Sequence, residues 1–149
     1  LEHEIEIKTV GVNLIKGLRY KVLWPHLDGV EQCEIAPDRE ATTFHLAAFY
    51  GDRVVGTSTF IVDVNSKFEE QNQYRLRAMA TDPEVRGMGV GAKIIRAAEQ
   101  ELRSKGVKLL WCDARLIATG FYEKLNFKIK GQVYQVPKIG PHKLMFKDL

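Results

Sequence analysis

Hydrophobic and polar positions alternate from Glu4 to Val10, with Ile5, Ile7 and Thr9 set against Glu4, Glu6 and Lys8, and this predicts a first strand. Leu14, Leu18 and Val22 then recur at helical spacing, with Ile15 and Leu23 beside them. Asn13 is placed to cap that helix, and Pro25 to stop it just after Trp24. His26 to Thr42 is rich in Gly, Pro, Asp and Glu, and reads as a loop with a short helix, a usual place for a substrate-facing insert. Two apolar β-rich runs, Thr43 to Tyr50 and Arg53 to Val62, are joined by Gly51-Asp52, a two-residue hairpin signal. Asp63 to Gln73 is polar and is expected on the surface; Tyr74 to Thr81 is the next strand. Val90 to Ser104 carries the strongest helical pattern, with Ile94, Ile95, Ala98 and Leu102 on one face and Lys93, Arg96, Gln100 and Arg103 on the other. Gly106 sits where a C-cap glycine belongs.

Val107 to Ala114 is nearly continuous in apolar residues, which predicts a buried strand. Ile117 to Leu125 reads as a short helix with Ile117, Phe121 and Leu125 on one side, and Asn126 suits its left-handed cap. Phe127 to Ile129, Gln132 to Val136 and His142 to Lys147 supply the last strand pieces. The order β-α, antiparallel strands, β-α-β-α, β implies an α/β fold: a mixed sheet with helices on its faces. No internal boundary is visible, so residues 1–149 are read as one domain.

Composition narrows this picture only a little. The 45% hydrophobic and 28% charged content is that of a soluble globular protein, and no run is apolar enough to span a membrane. A net charge of +3 suits an anionic ligand but is too small and dispersed for nucleic acid. The start lacks a signal-type apolar core, and Leu1 in place of Met suggests a trimmed native start. Cys33 and Cys112 form no C-x-x-C, so a reduced, cytoplasmic protein is expected.

The chemistry gathers at Thr81-Asp82-Pro83-Glu84-Val85-Arg86-Gly87-Met88-Gly89-Val90-Gly91-Ala92, between a strand and the strongest helix. Glycines let backbone N–H groups close on an anion, and a helix N-terminus adds partial positive charge; the expected ligand is a pyrophosphate. A P-loop is rejected, since Gly91-Ala92-Lys93 lacks the Gly-Lys-Ser/Thr ending. Gly87-Met88-Gly89-Val90-Gly91-Ala92 fits the dinucleotide pattern G-x-G-x-x-A. However, Asp82 to Arg86 separate it from the strand, and Asp113 lies rather far along to be the acidic partner. An oxidoreductase domain is therefore the runner-up.

Arg86-x-x-Gly89-x-Gly91 is similar to the R/Q-x-x-G-x-G/A signature of the GCN5-related N-acetyltransferases. Met79-Ala80-Thr81-Asp82-Pro83 resembles that family's strand end and Asp-Pro turn. Phe121-Tyr122-Glu123-Lys124-Leu125-Asn126-Phe127 resembles its F-Y-E-K-L-G-F segment, with Asn126 in place of Gly. The tail Gly140-Pro141-His142-x-x-Met145 is similar to a small bacterial branch with a Pro-His pair before the last strand. The resemblance implies a mixed, mostly antiparallel sheet flanked by helices, and acetyl-coenzyme A as the co-substrate. Its pyrophosphate would lie on Arg86 and the N–H groups of Gly87, Met88, Gly89, Val90, Gly91 and Ala92. Its pantetheine arm would pair with Met79, Ala80 and Thr81, and its thioester would lie where this strand and Val107 to Ala114 splay apart. Arg115 falls where many relatives place an Asn that contacts coenzyme A. The resemblance also implies a small-molecule or protein amine as acceptor and is compatible with a homodimer; a silent coenzyme A-binding module is the remaining alternative.

Acetyl transfer needs a neutral amine, a stabilised carbonyl oxygen, alignment, and a proton for the leaving thiolate. Tyr122 is expected to supply that proton, since a phenol of pKa about 10 stays protonated at neutral pH. His142, His45, Glu31 and Asp113 are candidate bases, each also explicable as structural. Cys112, in an apolar strand, reads as a buried thiol, which favours direct transfer over an acetyl-enzyme. Arg75 and Arg77 share a strand face with Met79 and Thr81 by alternation, and would bind an acidic group of the acceptor or pair with Glu69 and Glu70. Arg86 has Glu84 as a nearby ion-pair partner.

Overall fold

The computed structural model describes residues 4–149. Seven strands make one mixed sheet in the order β1-β2-β3-β4-β5-β7-β6, with only β4 and β5 parallel among the pairings described. They are β1 (Ile5–Val10), β2 (Phe44–Tyr50), β3 (Arg53–Val62), β4 (Gln73–Thr81), β5 (Leu109–Arg115), β6 (Lys128–Val136) and β7 (Gly140–Asp148). The helices are α1 (Lys16–Val22), α2 (Val90–Ser104) and α3 (Thr119–Lys124). The chain divides into two compact units, Leu1–Val62 with Leu76–Glu101, and Asp63–Arg75 with Leu102–Leu149.

In the first unit β1, β2 and β3 form an antiparallel meander, and Gly51 turns the β2–β3 hairpin at φ 61°. β3 is buried from Val55 to Ile61 because helices cover both of its faces. Arg19 of α1 reaches Thr59, while Gly56, on the alternate face, lies under α2. A β-carbon on Gly56 would come within 2.6 Å of Val90 Cγ1 and 3.0 Å of Ile94 Cδ1. Gly56 therefore lets the first turn of α2 sit directly on β3. The predicted apolar face of α2 is the buried one, with Ile94, Ile95 and Ala98 fully enclosed.

In the second unit β4 pairs β5 in parallel over Gln73–Leu109, Tyr74–Leu110 and Arg75–Trp111, and β7 lies between β5 and β6. Phe68, Leu109, Trp111 and Leu144 form a core cluster with Tyr134 and Phe146 packed against it. Gly106 (φ 77°) and Asn126 (φ 69°) end α2 and α3 in the left-handed conformation, as their types predict.

Three local expectations need correction. Asn13 does not cap α1; it lies in a 3-10 turn (Val12–Leu14), and its side-chain oxygen accepts from Arg39. The loop before β4 is not wholly on the surface, since Phe68 is buried in the core. Ile117 is 92% exposed, whereas Leu125 at the C-cap is buried as expected and Tyr122, not Ile117, is the buried residue within α3. The chain enters α3 through a 3-10 turn (Leu116–Ala118), which rotates Ile117 off the helical face that its spacing predicts.

Candidate active site

The first unit holds the glycine turn. As β4 ends, the Asp82 N–H donates to Val55 O at 2.8 Å and fixes the exit. The Asp82 carboxylate accepts from Lys21 (2.9 Å) and from the Glu84 N–H (3.0 Å), which holds its pKa below the ordinary carboxylate range. A short 3-10 turn (Pro83–Val85) follows. The N–H groups of Arg86 and Met88 are spent inside it, on Pro83 O and Val85 O. Gly87 (φ 84°) and Gly89 (φ 73°) then reverse the backbone, and the first helical bond of α2 runs from Lys93 N to Gly89 O. Among the described residues the N–H groups of Gly87, Gly89, Val90, Gly91 and Ala92 therefore have no partner, at the positive end of a four-turn helix. A β-carbon at Gly87 or Gly89 would meet nothing within 4 Å, so the side-chain side of the turn at these two positions is open. These residues fit a diphosphate. Glu84 pairs with Arg53 at 2.8 Å, not with Arg86.

Upstream, Ala80 is buried, and Met79 and Thr81 are half-buried. Ala78 stands at φ 53° inside the strand, a left-handed residue that an extended run would not contain. The alternation that put Arg75, Arg77, Met79 and Thr81 on one face assumes unbroken extended backbone, and Ala78 interrupts it. Nothing in the sequence flags this position, because alanine has no preference for that conformation.

The second unit holds Tyr122. Its ring is buried edge-on to Phe121 and Phe127, and its hydroxyl is hydrogen-bonded to the Cys112 sulfur. The end of α3 folds around it: the Leu125 and Phe127 N–H groups both donate to Tyr122 O, at 3.0 and 3.1 Å, across the left-handed Asn126. Burial, and then the neighbouring Cys112, push the Tyr122 pKa well above that of a free phenol, so the hydroxyl is protonated. Burial pushes the Cys112 thiol up to about 12, which removes it as a nucleophile at neutral pH.

Cys112 and Asp113 are consecutive on β5 and project to opposite faces. On the Asp113 face the guanidinium of Arg75 bridges two carboxylates, Asp63 at 3.1 Å and Asp113 at 2.7 Å, and lies 4.8 Å from the Trp111 ring centroid. These, and not Glu69 or Glu70, are its partners. The Tyr134 hydroxyl donates to the other Asp113 oxygen. Burial and that carboxylate push the Tyr134 pKa up, so it too remains protonated. His142 is opposite Arg115 on β5 and Tyr134 on β6, on the same face. Its Nδ1 lies 2.9 Å from Gly140 O, and Arg115 is exposed at the end of β5. Asp63 and Tyr134 were not singled out from the sequence. Tyr134 carried only a weak signal, an aromatic beside Val133 in a short β-rich run.

The remaining base candidates, His45 and Glu31, belong to the first unit. Glu31 accepts from Lys16 at 2.9 Å. His45 sits in a sealed network around Arg19, whose guanidinium grips Asp38 with two bonds (2.7 and 2.9 Å), Cys33 O (2.9 Å) and Thr59 Oγ1 (2.8 Å). Thr59 must then give its own proton to His45 Nδ1 (2.7 Å), while His45 Nε2–H donates to Asp38 O (3.0 Å). Both ring nitrogens are occupied, so His45 is structural. A groove of about 350 Å³ in this unit is lined by β1, β2 and the Asp38–Glu40 segment, and contains none of the cradle residues.

The acetyltransferase (GNAT) family model matches residues 12–127, and the chain belongs to that family. It is 35% identical over 145 residues to the uncharacterized N-acetyltransferase YitI of Bacillus subtilis (strain 168), covering 97% of each chain. Two solved structures share the fold. An aminoglycoside 6′-N-acetyltransferase complexed with coenzyme A superposes with a TM-score of 0.75 at 19% identity over 96% of each chain. The ribosomal-protein-S18-alanine N-acetyltransferase from Escherichia coli superposes with a TM-score of 0.75 at 15% identity, over 97% of this chain and 94% of that one. The protein is thus an N-acetyltransferase that uses acetyl-coenzyme A, and neither the dinucleotide-binding nor the non-catalytic alternative is supported. Among the described residues no helix is long and apolar enough to cross a membrane.

Proposed function

We propose that the glycine turn holds the pyrophosphate of acetyl-coenzyme A and that Tyr122 protonates the departing thiolate, in a direct transfer to a primary amine. The observation that carries this reading is the row of unpartnered N–H groups at Gly87, Gly89, Val90, Gly91 and Ala92. Backbone donors fixed before the ligand arrives need no reorganisation on binding. Arg86 and Met88, whose own N–H groups are spent, would contribute side chains only. Met79, Ala80 and Thr81 would offer backbone to the pantetheine arm, and Arg115 would reach the cofactor from the end of β5. The co-substrate supplies an activated acetyl group. The chain's residues hold it, orient it and place a proton. Tyr122 suits the last task because burial keeps it protonated and its hydroxyl already rests on a sulfur.

The two solved relatives are named for a small-molecule amine and for a protein amine, and the acceptor here is read as one of those classes. Arg75 and Arg77 are both read as candidates for an acidic group on it, and Arg75 already pairs with Asp63 and Asp113. The two units are read as acting as one domain, and the two unpaired, buried cysteines favour a cytoplasmic protein. Calorimetry with acetyl-coenzyme A, NAD as control, followed by a thiol-release screen over amines, tests the reading. Acetyl-coenzyme A binding without NAD binding, and turnover on at least one amine, is expected. Binding of NAD, or no turnover on any amine, would overturn it.

A further inference from the structure

We propose that His142 is the base of the transfer, accepting on Nε2 the proton that the acceptor nitrogen loses. The proposal rests on the acetyl-transfer reading above and deepens it. A carbonyl oxygen can only accept, so the 2.9 Å contact with Gly140 O places the imidazole hydrogen on Nδ1. A neutral ring has one such hydrogen, which leaves a bare lone pair on Nε2. Among the described residues no hydrogen bond is made to that nitrogen. Nor is it among the sealed, unpartnered polar atoms, which are Arg19 Nε, Thr43 Oγ1 and Arg75 Nε. The residue as a whole is 6% exposed, and that small opening includes Nε2. A buried ring with one nitrogen tied to backbone and the other open is an oriented base.

Its neighbours on this face are polar and charged. Arg115 on β5 and Tyr134 on β6 are its direct neighbours on this face, and the Tyr134 ring centroid is 6.2 Å away. Asp113 lies two residues before Arg115, bound to Arg75 and Tyr134, with Asp63 beyond. Two carboxylates against one guanidinium leave that cluster net negative, with the exposed Arg115 beside it. Tyr122 and Cys112 lie on the other face of β5, and Glu123 and Lys124 of α3 are exposed. Base and acid thus occupy opposite faces of the strands in this unit.

The step balances. The amine lone pair forms the nitrogen–carbon bond, and the carbon–sulfur bond breaks with its electrons going to sulfur. The nitrogen's proton goes to His142 Nε2 and on to solvent, and sulfur takes the Tyr122 proton, which solvent restores. The products are an amide and a thiol. An imidazole is too weak a base to strip a free ammonium efficiently, so transfer occurs as the new bond makes the nitrogen acidic.

The test uses the full chain, wild type and His142→Gln and His142→Ala, with an amine from the screen. We expect kcat to fall about 10²-fold or more in both variants, with acetyl-coenzyme A affinity retained. The acid limb of the kcat/KM profile should vanish, and added imidazole should restore part of the His142→Ala rate. Independently of activity, ¹⁵N NMR of the wild-type ring should show the proton on Nδ1. A His142→Gln enzyme with wild-type kcat, an unrescued loss with the acid limb intact, or a proton on Nε2 would each overturn the proposal. If the variants do not fold, the wild-type NMR result still decides. A wild-type protein that turns over no amine overturns the acetyl-transfer reading itself. A wild type that turns over, beside unimpaired variants, overturns only the base.

Discussion

Two clusters in this molecule use nearly the same kit. In the first unit Arg19 binds an aspartate, stacks near Trp24 at 5.8 Å, touches the hydroxyl of Thr59 and neighbours His45. In the second unit Arg75 binds two aspartates and stacks near Trp111 at 4.8 Å; one of those aspartates takes the Tyr134 hydroxyl, and His142 is close by. Each arginine even leaves its Nε unpartnered. The difference is solvent. The Arg19 and Asp38 side chains are 0% exposed, whereas those of Arg75, Asp113 and Asp63 are 25%, 30% and 38% exposed. In the sealed cluster every good hydrogen-bonding position of His45 is taken, while in the open one His142 keeps a lone pair. Residue type alone does not tell the two clusters apart; the exposure of their arginine and aspartate side chains and the count of satisfied histidine nitrogens do.

The largest effect that could break this comparison is on stability. Asp38→Ala leaves the Arg19 charge buried and unpaired, and should cost about 3–5 kcal/mol. Asp113→Ala, in the half-exposed cluster, should cost about 1 kcal/mol or less. Urea unfolding of both variants checks this, and similar losses would erase the distinction. Next comes chemistry. Tyr122→Phe keeps the ring in its place against Phe121 and Phe127 and removes the proton donor, so kcat should fall about 10²-fold with both KM values and the fold nearly unchanged. Steady-state kinetics under conditions where chemistry limits the rate decide it, and a wild-type kcat would make Tyr122 a packing residue.

Binding should respond in the first unit. Gly89→Val places a β-branched residue at φ 73° and crowds the open N–H groups, and should weaken acetyl-coenzyme A binding tenfold or more, about 1.4 kcal/mol. Unchanged affinity by calorimetry, in a folded variant, would remove the cradle assignment. The smallest expected effect is on pH dependence. Burial lowers the His45 pKa in the folded state, so as pH falls below about 6.5 the unfolded chain binds a proton that the folded chain refuses. Stability should therefore decline from there down to the folded pKa. Asp38 follows at lower pH. Burial raises its pKa, but Arg19 and the Ile35 N–H outweigh that and hold it below the ordinary value. Its contribution is complete above about 3.9 and is lost as pH falls through the folded value. Thermal unfolding against pH should show the first decline in wild type and a flatter curve in His45→Gln.

The sequence by itself determined the elements with local chemistry. The bounds of β3 and α2 follow from periodicity, and the turns at Gly51, Gly106 and Asn126 from the conformations those residues tolerate. The glycine turn was legible because its backbone conformation is written in consecutive residues, and the family because its motifs recur at fixed spacing. Tertiary structure decided what depends on partners far apart in the chain. Arg19 meets Asp38 across 19 residues and Thr59 across 40; Arg75 meets Asp113 across 38. No periodicity carries such pairings, since they follow from how strands are ordered in the sheet. It also decided the conformation of Ala78, the near approach at Gly56, and the hydrogen of His142, which is fixed by the carbonyl two residues before it once β7 holds the ring. The sequence placed histidines and aspartates in the chain; only folding decided which of them kept an unused lone pair.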